Sequence, residues 1–330
     1  MSRRRTGRQR CKPFNADADR KGSEVKRMIG WILGCWLLVC PGVQAGEIEH
    51  IQSKGELVVS LNRGSPPFCM EIKGELNGLD VDLARLLADY LGVKPRFRFP
   101  DAYEQHIPSL LAGEADIVIA AMTRTPERGL RVNFTEPYFE VSQAALVRRD
   151  WVGRDDQSYF DLVGIRGLKV GVKQHTTIED FARELFPKDA IKTYASHAEA
   201  VDGLIRGEVE ATVHDSPFVR VWEKAHPELS GKIKALLAPT TREYYGFAIR
   251  KGDPDFLQWL NLFIAQVQGD GTMELLNHRY FVEMPWLGMP RTKELAMSRA
   301  QLLRNEFLAK KQEMLERKRQ EAMKASGARY

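Results

Sequence analysis

Cysteine is scarce in this chain. Of 330 residues four are Cys, and Cys11, Cys35 and Cys40 all fall within the first 45. Beyond residue 45 only Cys69 remains, which excludes an intrachain disulfide there and a zinc site built on paired cysteines. Also missing are a Gly-rich phosphate loop and a nucleophile elbow, so neither phosphoryl transfer nor serine hydrolysis has its usual equipment. No metal or cofactor is expected. Basic surplus is absent from the globular middle: residues 46–288 carry 28 basic and 36 acidic side chains. Binding to nucleic acid needs a basic face to neutralise phosphates, so it is not the expected activity. The longest apolar run, 28–43, is short of the roughly 20 residues that a membrane span requires, so a signal peptide is expected there, with a retained signal anchor as the alternative.

The basic charge sits at the two ends. Residues 1–45 carry 10 basic and 3 acidic side chains, and residues 289–330 carry 11 and 5. Lys26 and Arg27 precede the apolar run, and Val43-Gln44-Ala45 follows it with small residues where a signal peptidase cuts. The expectation is a signal peptide over 1–45 with a long basic leader, cleavage after Ala45 and a periplasmic mature chain. In 289–330, Leu295, Leu302, Leu303, Phe307, Leu308, Met314, Leu315 and Ala322 recur at helical spacing among the basic residues. That reads as a basic helical tail, either solvated or in contact with an anionic membrane surface or a protein.

Between the ends, strand and helix patterns alternate. Strands are expected at 56–62, 94–99 and 117–120, with an amphipathic helix over 80–91 closed by Gly92 and a short one over 107–112. Residues 69–72 and the turn at 73–78 suggest a hairpin. A second series follows: strand 169–172, helix 177–185, strand 191–194, a helix capped by Ser196 with Glu199 as a capping box and ended by Gly207, strand 211–214 and helix 216–226. Residues 141–148 and 245–250 read as extended, and 254–268 and 272–281 as helical. Two α/β units in succession imply two lobes, each an open, mostly parallel sheet flanked by helices, with a cleft between them. Ligands in such sheets sit beyond the carboxyl ends of the strands.

Two strand ends carry the equipment of an anion site. Ala120 to Arg128 reads Ala-Ala-Met-Thr-Arg-Thr-Pro-Glu-Arg, in which Thr125 suits an N-cap and Pro126 the first helical position. Thr123 and the forked guanidinium of Arg128 converge there. Gln174-His175-Thr176-Thr177 repeats the logic on the second unit, and Asp215 ends a strand of its own. Taken singly, each has a plain structural role: Thr176 or Thr177 an N-cap, Asp215 a cap for the next helix, Arg128 a surface ion pair. Together they suit a zwitterion held between lobes.

From Gly55 to about Gly288 the chain resembles the periplasmic polar-amino-acid-binding proteins of ABC importers, the family 3 solute-binding proteins. The matching stretches are Ser65-Pro66-Pro67-Phe68, Asn77-Gly78-Leu79-Asp80-Val81-Asp82-Leu83, Ile107-Pro108-Ser109-Leu110, Met122-Thr123-Arg124-Thr125-Pro126-Glu127-Arg128, Phe134-Thr135-Glu136-Pro137-Tyr138 and Tyr245-Gly246-Phe247-Ala248-Ile249-Arg250-Lys251-Gly252. The resemblance implies a type II-like periplasmic-binding-protein fold with two hinge segments, near 141–148 and 238–247. Lobe 1 would be 46–142 with 244–288, and lobe 2 would be 143–243. It further implies a small amino-acid ligand and a membrane permease as partners. Arg128 would pair with the ligand carboxylate, helped by the amides of Thr123 and Thr177. Asp215 would bind the ammonium with the carbonyl of Ala121, Tyr103 would face the ligand side chain, and Ser65 and Asn62 would touch the rest.

Some positions depart from the family pattern. Ala121 stands where many relatives carry Ser, His175 where Gly is common, and Arg124 where an apolar residue is common. Asn62 stands where binders of basic amino acids often have Asp. With Arg63, Arg124 and His175 expected near the pocket, an acidic or amide side chain is the expected ligand. Two other readings use the same fold: a cyclohexadienyl or arogenate dehydratase, whose general acid would have to be His175, His214 or Glu243, and a periplasmic accessory or sensor protein.

Overall fold

The structure, a computed structural model, describes residues 46–287 together with Glu313 and Arg317. The expected signal peptide over 1–45 and nearly all of the basic tail lie outside the described residues. Among the described residues no helix is long and apolar enough to cross a membrane.

The chain begins with α1 (Glu47–Lys54), β1 (Glu56–Ser60), the hairpin β2 (Met70–Ile72) and β3 (Glu75–Asn77), α2 (Leu79–Leu91), β4 (Lys94–Arg98), α3 (His106–Leu111), β5 (Ile117–Val118), the single turn α4 (Pro126–Gly129) and β6 (Asn133–Phe134). Next come β7 (Phe139–Val141), β8 (Gln143–Arg148), β9 (Val170–Lys173), α5 (Thr177–Leu185), β10 (Ile191–Tyr194), α6 (His197–Arg206), β11 (Ala211–Asp215), α7 (Ser216–Ala225) and β12 (Ile233–Leu236). The described part closes with β13 (Glu243–Tyr245), β14 (Ala248–Ile249), α8 (Pro254–Gly269) and α9 (Thr272–Asn277), which runs into a π-helical turn over His278–Glu283.

Two five-stranded sheets form the two lobes, in the orders β4-β1-β5-β14-β6 and β10-β9-β11-β8-β12. In each, the fourth strand runs against its neighbours and the other four share one direction. The sheets are mostly parallel, as their βαβ connections require. Both faces are covered, and the pleat shows it. In β8, Ala145 and Val147 pack with Val170, Val172 and Val213 on one face, while Ala144 and Leu146 pack with Val201, Leu204 and Val219 on the other. Around the first sheet, Leu57, Val59 and Ile117 share a core with Leu83 and Leu87 of α2 and with Phe256, Leu260 and Ile264 of α8. The late helix α8 thus belongs to the same core as the first strand.

The chain crosses between the sheets twice, and the crossings pair. β7 and β13 form an antiparallel ribbon, with Val141 opposite Glu243 and Phe139 opposite Tyr245. Each ribbon strand continues into the reversed strand of a sheet, β7 into β8 and β13 into β14. A reversed strand starts where its parallel neighbours end, so Gln143 lies beside Asp215 at the end of β11. The ribbon therefore stands at the carboxyl ends of both sheets.

Some expectations need correcting. Residues 143–148, expected as part of a hinge, form a central strand of the second sheet; the crossing is made by Phe139–Val141 and Glu243–Tyr245. The extended run at 245–250 is split between the ribbon and the first sheet. Ser196 does cap α6 by accepting the Glu199 amide at 3.1 Å. The Glu199 carboxylate, however, meets the Ser196 hydroxyl rather than returning to its N–H, so the capping box is not closed. The helix after Thr125 is one turn long.

Helix α2 starts without a side-chain cap. Its first amides, at Leu79 and Asp80, donate instead to the carbonyls of Pro67 and Phe68 at 3.1 and 3.0 Å. That brings the backbone at Gly78 so close that an added Cβ would lie 2.0 Å from the Phe68 carbonyl oxygen, at a φ of +138°. Gly78→Ala is accordingly expected to lower stability by about 2–5 kcal/mol, from overpacking and backbone strain together. Gly74→Ala, where φ is +83° but nothing lies within 4 Å, should cost only about 1–2 kcal/mol for its left-handed backbone. Urea unfolding of both variants decides this, and equal midpoints would refute the packing argument.

Candidate functional site

The carboxyl ends of the two sheets line one narrow cavity of about 30 Å³. From the first sheet's side it is lined by Asn62, Ser65, Tyr103, Ala121, Thr123 and Arg128, and from the second's by Thr177 and Asp215. The eight residues singled out in the sequence thus come together. Lys173, Thr176, Ile178 and His197 join them.

On the first side, the loop after β5 is pinned from both ends. Ala121 adopts a left-handed backbone, φ +47°, and its amide donates to the buried carboxylate of Asp80 at 2.8 Å. The other Asp80 oxygen accepts from the Tyr138 hydroxyl at 2.8 Å. Burial pushes the Asp80 carboxyl up to about 7 even against these two donors. Thr123 bridges to Tyr245, and the Arg124 amide donates to the Tyr244 carbonyl at 2.9 Å, so the loop is an extension of the ribbon.

Thr125 caps α4 as expected, but its hydroxyl takes the Arg128 amide at 3.2 Å. With only one helical turn behind it, this end offers the cavity the Arg128 guanidinium rather than a row of amides. That side chain is oriented by donation from its Nη1 to the Thr123 carbonyl at 2.7 Å. Its guanidinium carbon lies 5.7 Å from the centre of the Tyr103 ring, and Lys173 Nζ lies 4.8 Å from the same ring.

On the second side, His175 is also left-handed, φ +58°, a conformation in which Gly is the least strained residue. The turn leads into α5, where Thr176 caps the helix by accepting the Glu179 amide at 3.3 Å. Thr177 and Ile178, in the first turn, line the cavity. Asp215 ends β11 with one oxygen bonded to the Tyr245 hydroxyl and the other buried without a partner. Burial pushes its carboxyl up to about 7. The Tyr245 bond opposes that rise, Glu243 adds to it, and Arg128 and Lys173 oppose it in turn. Lys173 is itself 8% exposed, and burial lowers its pKa. Among the described lining residues Asp215 is the only carboxylate, against the cations Arg128 and Lys173.

The three basic side chains expected to bias the ligand lie elsewhere. Arg63 stacks on Phe99 at 4.2 Å and faces Glu71 at 4.0 Å. Arg124 packs against Gly246 and faces Glu136 at 3.8 Å. His175 reaches Glu104 at 3.9 Å on the opposite side of the cleft. None of them lines the cavity. Of the candidate general acids, His175 is at this rim, His214 is fully buried behind His197, and Glu243 accepts from Gln143 at 2.7 Å and Thr177 at 3.4 Å. Lys173 was missed because the strand was expected to stop one residue earlier, at 172. His197 was missed because it follows Ser196, whose capping signal accounted for that stretch.

Comparison with known proteins gives a consistent result. The model of the bacterial extracellular solute-binding proteins, family 3, matches residues 57–283. The L-cystine-binding protein TcyJ of Escherichia coli is 30% identical over 245 residues, covering 72% of this chain and 86% of that protein. Among solved structures, a binding component of an ABC transporter from Wolinella succinogenes, complexed with lysine, is similar. It is 40% identical with a TM-score of 0.66, over 71% of this chain and 99% of the other. An ancestral amino-acid-binding protein, described as a precursor of cyclohexadienyl dehydratase, is 37% identical with a TM-score of 0.64, over 72% and 100%.

Proposed function

Because the chain belongs to the bacterial extracellular solute-binding proteins of family 3, we propose that it clamps a free α-amino acid between its two lobes and delivers it to the permease of an ABC importer. The observation that carries this reading is the pairing of Arg128 and Asp215. They are opposite charges from different sheets, brought to one narrow cavity at the carboxyl ends of the strands. The Arg128 fork takes the ligand carboxylate, with the amides at Thr123 and at Thr177 in the first turn of α5 beside it. The unpartnered oxygen of Asp215 takes the ammonium, with the Ala121 carbonyl. Tyr103, Ser65 and Asn62 face the ligand side chain.

The side chain is acidic or an amide, on grounds different from those the sequence offered. Lys173 lies in the cavity, Asn62 is neutral, and Asp215 is already committed, so a cationic side chain finds no second carboxylate among the described lining residues. The lysine and cystine named for the relatives are the natural competitors. The lobes, 46–142 with 244–288 and 143–243, close about the β7–β13 ribbon when both charges are paired, a population shift driven by the ligand. The mature chain starts after Ala45 and works outside the cytoplasmic membrane. An enzyme on this fold needs a general acid free to reach substrate; His214 and Glu243 are both held in other contacts, and His175 faces Glu104 at 3.9 Å outside the cavity lining.

Arg128→Ala and Asp215→Ala are each expected to weaken amino-acid binding at least about tenfold, or 1.4 kcal/mol, with about 2–5 kcal/mol the usual loss when one buried partner goes. A thermal-shift screen of the twenty amino acids identifies the ligand, since binding to the native state raises its melting temperature. Calorimetry then measures both variants, and unchanged affinity in either ends the assignment. The pH dependence has a definite sign. Only ionised Asp215 pairs with an ammonium, and its carboxyl titrates near 7. Affinity should be level above that pH and fall about tenfold per unit below it, with one proton released per ligand bound at pH 6. Affinity unchanged between pH 8 and pH 5 would exclude Asp215 as the ammonium partner.

A further inference from the structure

The proposed clamp leaves one cavity feature unused. His197 and His214 meet through their Nδ1 atoms, 2.7 Å apart, with the rings 4.8 Å apart at 62°. Phe218 packs on both, at 5.3 and 4.7 Å. His214 is 0% exposed, and its Nε2 is buried without a partner. His197 is partly exposed and lines the cavity. Burial keeps both rings neutral, His214 down to about 3 and His197 well below its ordinary value. The neighbouring Lys173 ammonium pushes His197 the same way.

A neutral imidazole carries one N–H, and a short N···N contact needs one donor and one bare nitrogen. Two arrangements are available. If His197 donated, the proton of His214 would sit on Nε2, leaving a buried N–H without an acceptor, which native interiors rarely contain. If His214 donates, its Nε2 is a bare lone pair, the easier group to leave unmatched. His197 then accepts at Nδ1 and carries its own proton on Nε2.

We infer that His214 is a positioning residue that fixes His197 as an N–H donor in the cavity, and that the site therefore selects an amino acid whose side chain ends in a hydrogen-bond acceptor, a carbonyl or a carboxylate. This rests on the amino-acid reading above and sharpens it. Lys173 supplies a charged donor and His197 a neutral one, and the pair favours acceptor-bearing side chains over ammonium or guanidinium groups.

Two measurements test it. Long-range ¹H–¹⁵N spectra of histidine-labelled protein, assigned with His197→Phe and His214→Phe, report the tautomers without added ligand. The expected result is His214 protonated at Nδ1 and His197 at Nε2, with His197 losing that preference in His214→Phe. The reverse tautomers overturn the inference. Calorimetry then compares L-glutamine, L-glutamate and L-norvaline, which keeps the α-groups but has no side-chain acceptor. His197→Phe should weaken glutamine or glutamate at least about tenfold and leave norvaline within about twofold. Equal losses for all three ligands, or a wild-type protein that prefers arginine or lysine, refute the selection. A wild-type protein that binds no amino acid removes the underlying reading instead, and the acceptor selection falls with it.

Discussion

Tyr245 joins three parts of the molecule that would otherwise be independent. It is the last residue of a ribbon strand, its backbone bridges to Thr123 in the loop after β5, and its hydroxyl holds one oxygen of Asp215 at the end of β11. Its ring is 1% exposed, packed edge-on against Phe68 at 5.3 Å and stacked with Phe139 at 6.0 Å. One residue thus registers the Arg128 loop of one lobe, through its backbone, against the carboxylate of the other, through its hydroxyl. Because the hydroxyl satisfies one oxygen only, the site keeps a buried acceptor that a cation can complete. The same residue therefore sets both the geometry of the cavity and its electrostatic demand.

Much of this was legible in the sequence, for identifiable reasons. Helix α5 and strand β10 match the expected ranges to the residue, and Thr176 marks the start of α5 as its cap. The eight expected lining residues converge because strand ends in an α/β sheet all lie on one edge, whatever the details of packing. What failed was the direction of individual side chains. Arg63, Arg124 and His175 are close to the cavity in sequence, yet each turns to an outer partner: Phe99 and Glu71, Glu136, and Glu104. Nothing in chain position distinguishes an inward from an outward guanidinium. Lys173 was hidden by a one-residue shift in a strand end, which decides whether its side chain belongs to the edge.

The two left-handed residues explain another part of the site. Ala121 follows β5 and His175 follows β9, each two residues before a cavity threonine, Thr123 and Thr177. Both loops pass through a left-handed residue, and neither uses Gly there. At Ala121 the strain is offset by the hydrogen bond from its amide to Asp80, so a carboxylate near the start of α2 holds the loop that presents Arg128. At His175 the amide is held in turn by the Glu179 carboxylate at 2.6 Å. The sequence carries these two supports as ordinary first-turn acidic residues.

The reversed strand β14 has a consequence for the order in which the molecule is built. It pairs Ala248 with Val118 and with Phe134, so the first sheet receives its fourth strand only after the whole second sheet has been made. Until then β5 has one unpaired edge and β6, whose only partner among the described strands is β14, has two. Such edges invite pairing with other chains. Closure joins residues about 130 positions apart, whereas the strands of the second sheet all lie within one continuous stretch of chain. In a chain made from its N-terminus, the strand that completes the Arg128 half of the site is therefore the last of the described strands to be made.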